Sequence, residues 1–212
     1  MLLYYITDRR QFPGNTEAQK QQLLRKIAEC AAAQVDYIQL REKDLNIRAL
    51  EELASEAVSL LPPGAHTKLL INSRTDVTLA CGAHGVHLPA HDLAASEARA
   101  IFGQCGSVHP VIAASVHSTE ELSYAEAHGA DFAVFAPVFE KDGQRIGDGL
   151  ERLRQACGKP DRTVPVLALG GVTLENAQQC LAAGANGIAA IRMFQENNAV
   201  KIATQLRGGV SN

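Results

Sequence analysis

The chain has 212 residues, 46% of them hydrophobic and 20% charged, with a formal net charge of -3. That length buries a full core without a second domain, and the charge balance leaves no electrostatic footprint for nucleic acid or an anionic membrane surface. No apolar run approaches the roughly 18 residues of a membrane span, and the opening Met1-Leu2-Leu3-Tyr4-Tyr5-Ile6-Thr7-Asp8 lacks the basic region and cleavage site of a signal peptide, so the sequence predicts a cytoplasmic protein.

In chain order, buried-type apolar runs predict strands at 2–6, 37–40, 68–71, 85–88, 111–114, 132–135, 166–169 and 187–191. Helical stretches follow them, for example 18–33, 49–61, 118–128 and 173–183. One pattern recurs three times: Leu79-Ala80-Cys81-Gly82-Ala83-His84, Glu126-Ala127-His128-Gly129-Ala130-Asp131 and Leu181-Ala182-Ala183-Gly184-Ala185-Asn186, each leading straight into an apolar run. A helix that stops at a glycine, a tight turn and a buried strand, repeated, mean parallel strands covered by helices. Ser118-Thr119-Glu120-Glu121 reads as a capping box, and Thr173-Leu174-Glu175-Asn176 as one shifted in register. Eight such units in this length predict a single-domain α/β fold over 1–212, a (β/α)8 TIM-type barrel. An open doubly wound sheet is the alternative, but the G-x-G-x-x-G fingerprint of that fold is absent. The five cysteines (Cys30, Cys81, Cys105, Cys157, Cys180) are scattered and odd in number, which fits small buried apolar residues better than disulfides or a zinc knuckle.

Active sites in such barrels form from the loops after the strands. The second strand ends Gln39-Leu40-Arg41-Glu42-Lys43-Asp44, where alternation sends Arg41 and Lys43 into the mouth as partners for an anion; a solvated loop with a Glu42–Lys43 surface pair is the competing reading. Asn72, at the end of the third strand, is placed to orient a ligand by donating and accepting. After the fifth, Ser115 and His117 share a direction, and His117 is the best general acid/base among seven histidines. His84 and His128 lie beside capping glycines, His66, His91 and His109 lie in loops, and His87 faces either the barrel core or the helices. After the seventh strand, Gly170 and Gly171 present backbone N–H groups at a helix start. Ile191 and Arg192 end the eighth, and together these form a phosphate site, with an ordinary salt bridge the alternative use of Arg192.

These residues, in this order, resemble the thiamine phosphate synthase/TenI family of vitamin B1 biosynthesis over nearly the whole chain. Tyr5-Ile6-Thr7-Asp8 resembles its opening strand, Gln39-Leu40-Arg41-Glu42-Lys43 its Q-x-R-x-K, and Ile71-Asn72 with Arg74 and Asp76 its I-N-x-R-x-D. Gly85-Val86-His87-Leu88, Ser115-Val116-His117-Ser118 and Gly170-Gly171 complete the series. The resemblance implies a homodimeric barrel acting on a small phosphorylated thiazole.

The family holds two chemistries. Its synthases join an aminopyrimidine diphosphate to a thiazole phosphate and release pyrophosphate, with Mg²⁺ held by two Asp; here the first position is Ser73 and only the second is retained, as Asp92. Their Thr-x-Thr-Lys loop after the sixth strand is replaced by Glu140-Lys141-Asp142-Gly143-Gln144-Arg145. The TenI-type tautomerases need no metal or other cofactor and aromatise a carboxythiazole phosphate. His117 matches their catalytic position, and Val138-Phe139-Glu140 also looks like that branch. The expectation is therefore a thiazole tautomerase with His117 as acid/base and Gly170, Gly171, Ile191 and Arg192 around the phosphate. Arg41 meets the carboxylate, and Lys43, Asn72 and Ser115 orient the ring. A synthase using Mg²⁺ at Asp92 is one alternative, and a non-catalytic thiazole-phosphate-binding regulator is another.

Overall fold

The computed structural model describes residues 1–62, 64–106, 109–141 and 143–208. Eight strands lie where the apolar runs place them: β1 (Leu2–Ile6), β2 (Tyr37–Leu40), β3 (Lys68–Asn72), β4 (Gly85–Leu88), β5 (Val111–Val116), β6 (Phe132–Phe135), β7 (Val166–Ala168) and β8 (Gly187–Ala190). Each pairs in parallel with the next, and β8 closes the ring onto β1 with Gly187 opposite Leu2. The chain thus forms a closed parallel barrel with helices outside it.

The helices covering the barrel end as the repeated glycines require. Gly82, at φ 69°, closes α3 (Thr75–Cys81) and returns its N–H to the Thr78 carbonyl, a left-handed conformation that costs glycine nothing. α1 (Thr16–Ala32) and α2 (Ile47–Ser59) start at asparagines whose side chains accept from the Ala18 and Ala49 N–H groups. The helix expected at 173–183 is shorter, Ala177–Ala182. Thr173 N–H donates to Asn176 Oδ1 and Asn176 Nδ2 to the Gly171 carbonyl, so 171–176 is a turn held by a side chain rather than a first helical turn. Between β6 and the helix Gly149–Cys157 runs a small antiparallel ribbon, Glu140–Lys141 with Gln144–Arg145, for which the sequence shows no strand signal.

Alternation along the strands sorts the core into two shells. Tyr4, Ile6, Leu70, Ala113, Phe132, Val134, Leu167 and Ala189 fill the barrel interior, while residues such as Ile38, Val86, Phe135 and Ile188 pack outward under the helices. Each fully buried Leu, Ile, Val or Phe among them contributes about 1.5–3 kcal/mol. The same parity fixes what reaches the mouth: Arg41 continues the inner row of β2, Asn72 that of β3, Ser115 and His117 that of β5 and Ile191 that of β8. His87 faces the interior and is buried. Cys30 and Cys180 are buried, their thiols pushed up to about 12 by desolvation, as expected of packing residues, whereas Cys81 and Cys157 are half-buried and Cys105 is exposed, so the burial expected of all five holds for two. Among the described residues no helix is long and apolar enough to cross a membrane.

Candidate active site

The turn after β2 is held by a buried ion cluster. Glu42 sits almost wholly inside, accepting from the Thr7 hydroxyl at 2.6 Å and from the Arg9 guanidinium at 3.0 Å. Burial raises its pKa, and the bonds from Thr7 and Arg9 oppose the rise. The Arg9 guanidinium also grips Asp44 with both terminal nitrogens at 2.7 Å. This overturns the reading of Glu42 as half of a surface pair with Lys43. Because the chain turns here, the alternation expected through residue 43 stops: Arg41 stays half-buried, whereas Lys43 is exposed. The Arg41 charge helps to lower the pKa of His87.

Inside the barrel runs a chain of polar side chains. Gln39 Nε2 donates to the Tyr4 phenol at 3.0 Å, the phenol meets His87 Nδ1 at 3.1 Å, and His87 Nε2 meets Ser115 Oγ at 2.8 Å. Tyr4, Gln39 and His87 are buried, and Ser115 is half-buried at the upper end. Desolvation first, and Arg41 second, depress the His87 pKa to about 3, so the imidazole is neutral.

His117 stands above, exposed at the rim. Its Nδ1 lies 2.7 Å from the Ala136 carbonyl, which can only accept; Nδ1 therefore carries the hydrogen, and a neutral ring leaves Nε2 as a bare acceptor. Its backbone is fixed from both sides, since Glu121 Oε2 accepts from its N–H at 2.7 Å and Arg152 donates to its carbonyl. Ser118 caps the helix Thr119–Ala127 through the Glu121 N–H, but the Glu121 carboxylate reaches one residue further back than a capping box requires, onto His117.

A cavity of about 470 Å³ opens between the ends of β7 and β8, lined by Gly170, Gly171, Thr173, Ile191, Arg192 and Glu140 among others. Among the described residues the N–H groups of Gly170 and Gly171 have no acceptor. Both glycines have left-handed φ values, 104° and 67°. The loop after β6 also presses on them: a Cβ on Gly171 would lie 2.6 Å from Glu140 Cβ. They do not open a helix, because the regular helix begins only at Ala177. Arg192 is paired with Glu140 at 2.7 Å, so the fork of donors expected for a phosphate is shared with a carboxylate.

A second cavity, of about 480 Å³, lies between the loops after β4 and β5 and is lined by His91, Asp92, Leu93, Ser115, Glu121 and Tyr124 among others. Here Ser73, its N–H bonded to the His87 carbonyl at 2.8 Å, donates its hydroxyl to Asp92 Oδ2, while the Leu93 N–H takes Oδ1. Asp76 is engaged by Arg74. Asp92 is thus a single carboxylate with both oxygens bonded, and this donor set does not fit a two-carboxylate Mg²⁺ site. Among the described residues no three His, Cys, Asp or Glu side chains are grouped for a metal ion.

Of the residues singled out from sequence, Gly170, Gly171, Ile191 and Arg192 share one cavity, and Ser115 and Asp92 share the other. Arg41, Asn72 and His117 lie on the inner row without lining either cavity, and Lys43 is exposed on the turn. The sequence reading missed Tyr4, its bonds to Gln39 and His87, and the reach of Glu140 to Arg192. Tyr4 had a usable signal, since it shares the face of Leu2 and Ile6; the Glu140 contact joins residues 52 apart and had none.

A profile of the family described as thiamine monophosphate synthase matches residues 3–194. The chain is similar to the thiamine-phosphate synthase of Methanoculleus marisnigri, 35% identical over 215 residues that cover 99% of this chain and 95% of that one. It is also similar to the thiamine-phosphate synthase of Methanospirillum hungatei, 37% identical over 196 residues covering 89% and 87%. Among solved structures it resembles the thiamine phosphate pyrophosphorylase of Pyrococcus furiosus, with a TM-score of 0.78, 31% identity and coverage of 98% and 94%.

Proposed function

The chain belongs to the thiamine monophosphate synthase family, enzymes of thiamine biosynthesis, and on that premise we propose that it is the family's thiazole tautomerase, aromatising a carboxythiazole phosphate. The observation that carries this reading is the exposed His117 imidazole, held at Nδ1 by the Ala136 carbonyl at 2.7 Å, with Nε2 unpaired among the described residues. A bare Nε2 takes a proton from one ring carbon, and the imidazolium so formed, steadied by the Nδ1–H bond to Ala136, returns a proton to another carbon. The Gly170 and Gly171 N–H groups receive the phosphate, Arg192 joins them once Glu140 yields, and Arg41 meets the ligand carboxylate. Asn72 and Ser115 orient the ring. The exposed Lys43 contributes charge at the entrance rather than a fixed contact.

The Ser73–Asp92 bond supports a reaction that uses no metal, because it leaves Mg²⁺ without the paired carboxylates that would hold it beside a diphosphate. A second reading, synthase activity, is favoured by the similarity to thiamine-phosphate synthases. The test is conversion of the thiazole synthase product to its aromatic tautomer in the presence of a chelator. Loss of that conversion in His117→Ala, with the fold intact, is the expected result; full activity in the variant would refute the assignment.

A further inference from the structure

With Gln39 Nε2 facing the Tyr4 phenol, the chain Gln39–Tyr4–His87–Ser115 has one arrangement in which every hydrogen lying between its members meets an acceptor. A Gln39 amide nitrogen has hydrogens but no lone pair to offer, so at 3.0 Å it donates and the Tyr4 oxygen accepts. The phenol hydrogen then has one remaining partner, His87 Nδ1, at 3.1 Å. Nδ1 must present a lone pair, which puts the hydrogen of a neutral imidazole on Nε2. That hydrogen points at Ser115 Oγ, 2.8 Å away. The serine oxygen is thereby an acceptor from below, and its own hydrogen is free to turn up towards the mouth.

From this we infer that Gln39, Tyr4 and His87 are positioning residues forming a one-way relay that makes Ser115 a hydrogen-bond donor to the ligand, so that the ligand atom seated on it must be an acceptor. The relay rests on the proposed reading only in taking the ligand to sit at the barrel mouth. Its parts have little freedom to reverse. Tyr4 is packed edge-on against Phe132 and Tyr37, with ring centroids 5.3 and 5.9 Å away, and neither neighbour supplies a competing partner for the phenol. His87 is enclosed, and its burial first, with the Arg41 charge second, disfavours the imidazolium that would scramble the direction. A ligand presenting an unprotonated ring nitrogen or a carboxylate oxygen completes the chain. One presenting N–H or NH₂ at that point sets two donors against each other, and sites built this way reject the wrong partner strongly.

The test has two arms. In the unliganded protein with ¹⁵N-labelled histidine, NMR at pH 7.5 should show His87 neutral, with the hydrogen on Nε2 and a bare Nδ1. A hydrogen on Nδ1, meaning that the relay runs downward from the serine, or a charged ring, would overturn the inference. In the second arm, calorimetric binding of carboxythiazole phosphate should weaken about tenfold in Tyr4→Phe and in Ser115→Ala, the loss of roughly one hydrogen bond. Adding Tyr4→Phe to Ser115→Ala should produce no further loss, because the relay acts only through the serine; additive losses would reduce Tyr4 to a packing residue and overturn it. Neither arm depends on turnover. The expected NMR and binding results without tautomerase activity would defeat the functional reading alone, whereas the reversed tautomer in an active enzyme would defeat the relay alone. Should Tyr4→Phe not fold, the tautomer of the wild-type histidine still decides.

Discussion

Protonation of His87 gives the sharpest stability prediction. The ordinary imidazole value of 6.5 is pushed down to about 3 inside the barrel, because burial and the Arg41 charge both oppose the cation. The folded value lies below the unfolded one, so the unfolded chain binds more protons between them. Stability from this source is fully present above pH 6.5 and is lost as pH falls towards 3. At about 1.36 kcal/mol per unit, moving from pH 7.5 to pH 5.0 removes about 2 kcal/mol. The assay is urea unfolding at both pH values for the wild type and for His87→Gln, which cannot titrate. The variant is less stable at pH 7.5, since Tyr4 and Ser115 lose a ring that bonds both, so the pH-dependence rather than the absolute stability carries the test. His84, whose pKa is also lowered by burial, and the depressed carboxylates of Asp44 and Asp76 are common to both proteins and cancel. The wild type should lose about 2 kcal/mol more than the variant over this range. Equal losses would refute the claim that a neutral histidine is held in the barrel.

Other outcomes follow from the same geometry. Glu140→Gln removes the carboxylate that shares Arg192 and should tighten binding of carboxythiazole phosphate by about threefold to tenfold in calorimetry at low salt; weaker binding would mean that Glu140 is itself a ligand contact. Arg9→Met leaves Glu42 and Asp44 without their shared cation and should cost about 3 kcal/mol or more in urea unfolding, as expected when one partner of a buried pair is removed. Gly171→Ala places a Cβ against Glu140 at a left-handed φ and should destabilise the fold by about 1–3 kcal/mol while lowering phosphate affinity.

Local signals carried most of the fold. The thrice-repeated glycine turn fixes where helices end and strands begin, and alternation along β5 was enough to set Ser115 and His117 on one face. The orientation of His87 was not legible, because all four residues of β4 are buried and hydropathy cannot say which pair faces the axis; only pairing with Asn72 and Ala113 on the neighbouring strands settles it. Long-range partners were equally silent. Glu42 finds Arg9 across 33 residues, which converts an apparent surface charge into a buried anchor and turns Lys43 away from the mouth. Glu140 crosses to Arg192 from a ribbon with no strand pattern of its own. The shortened helix after Gly171 reflects an asparagine that bonds the turn instead of capping a helix there.

The most direct test of the functional claim is to run the aromatisation in D₂O with a chelator present and follow deuterium in the product by NMR. A single histidine that removes one proton and returns another from a ring open to solvent predicts rapid formation of aromatic carboxythiazole phosphate carrying solvent deuterium, abolished by His117→Ala. No aromatisation under these conditions, with Mg²⁺-dependent pyrophosphate release from the aminopyrimidine diphosphate and thiazole phosphate instead, would contradict it and make the chain a synthase.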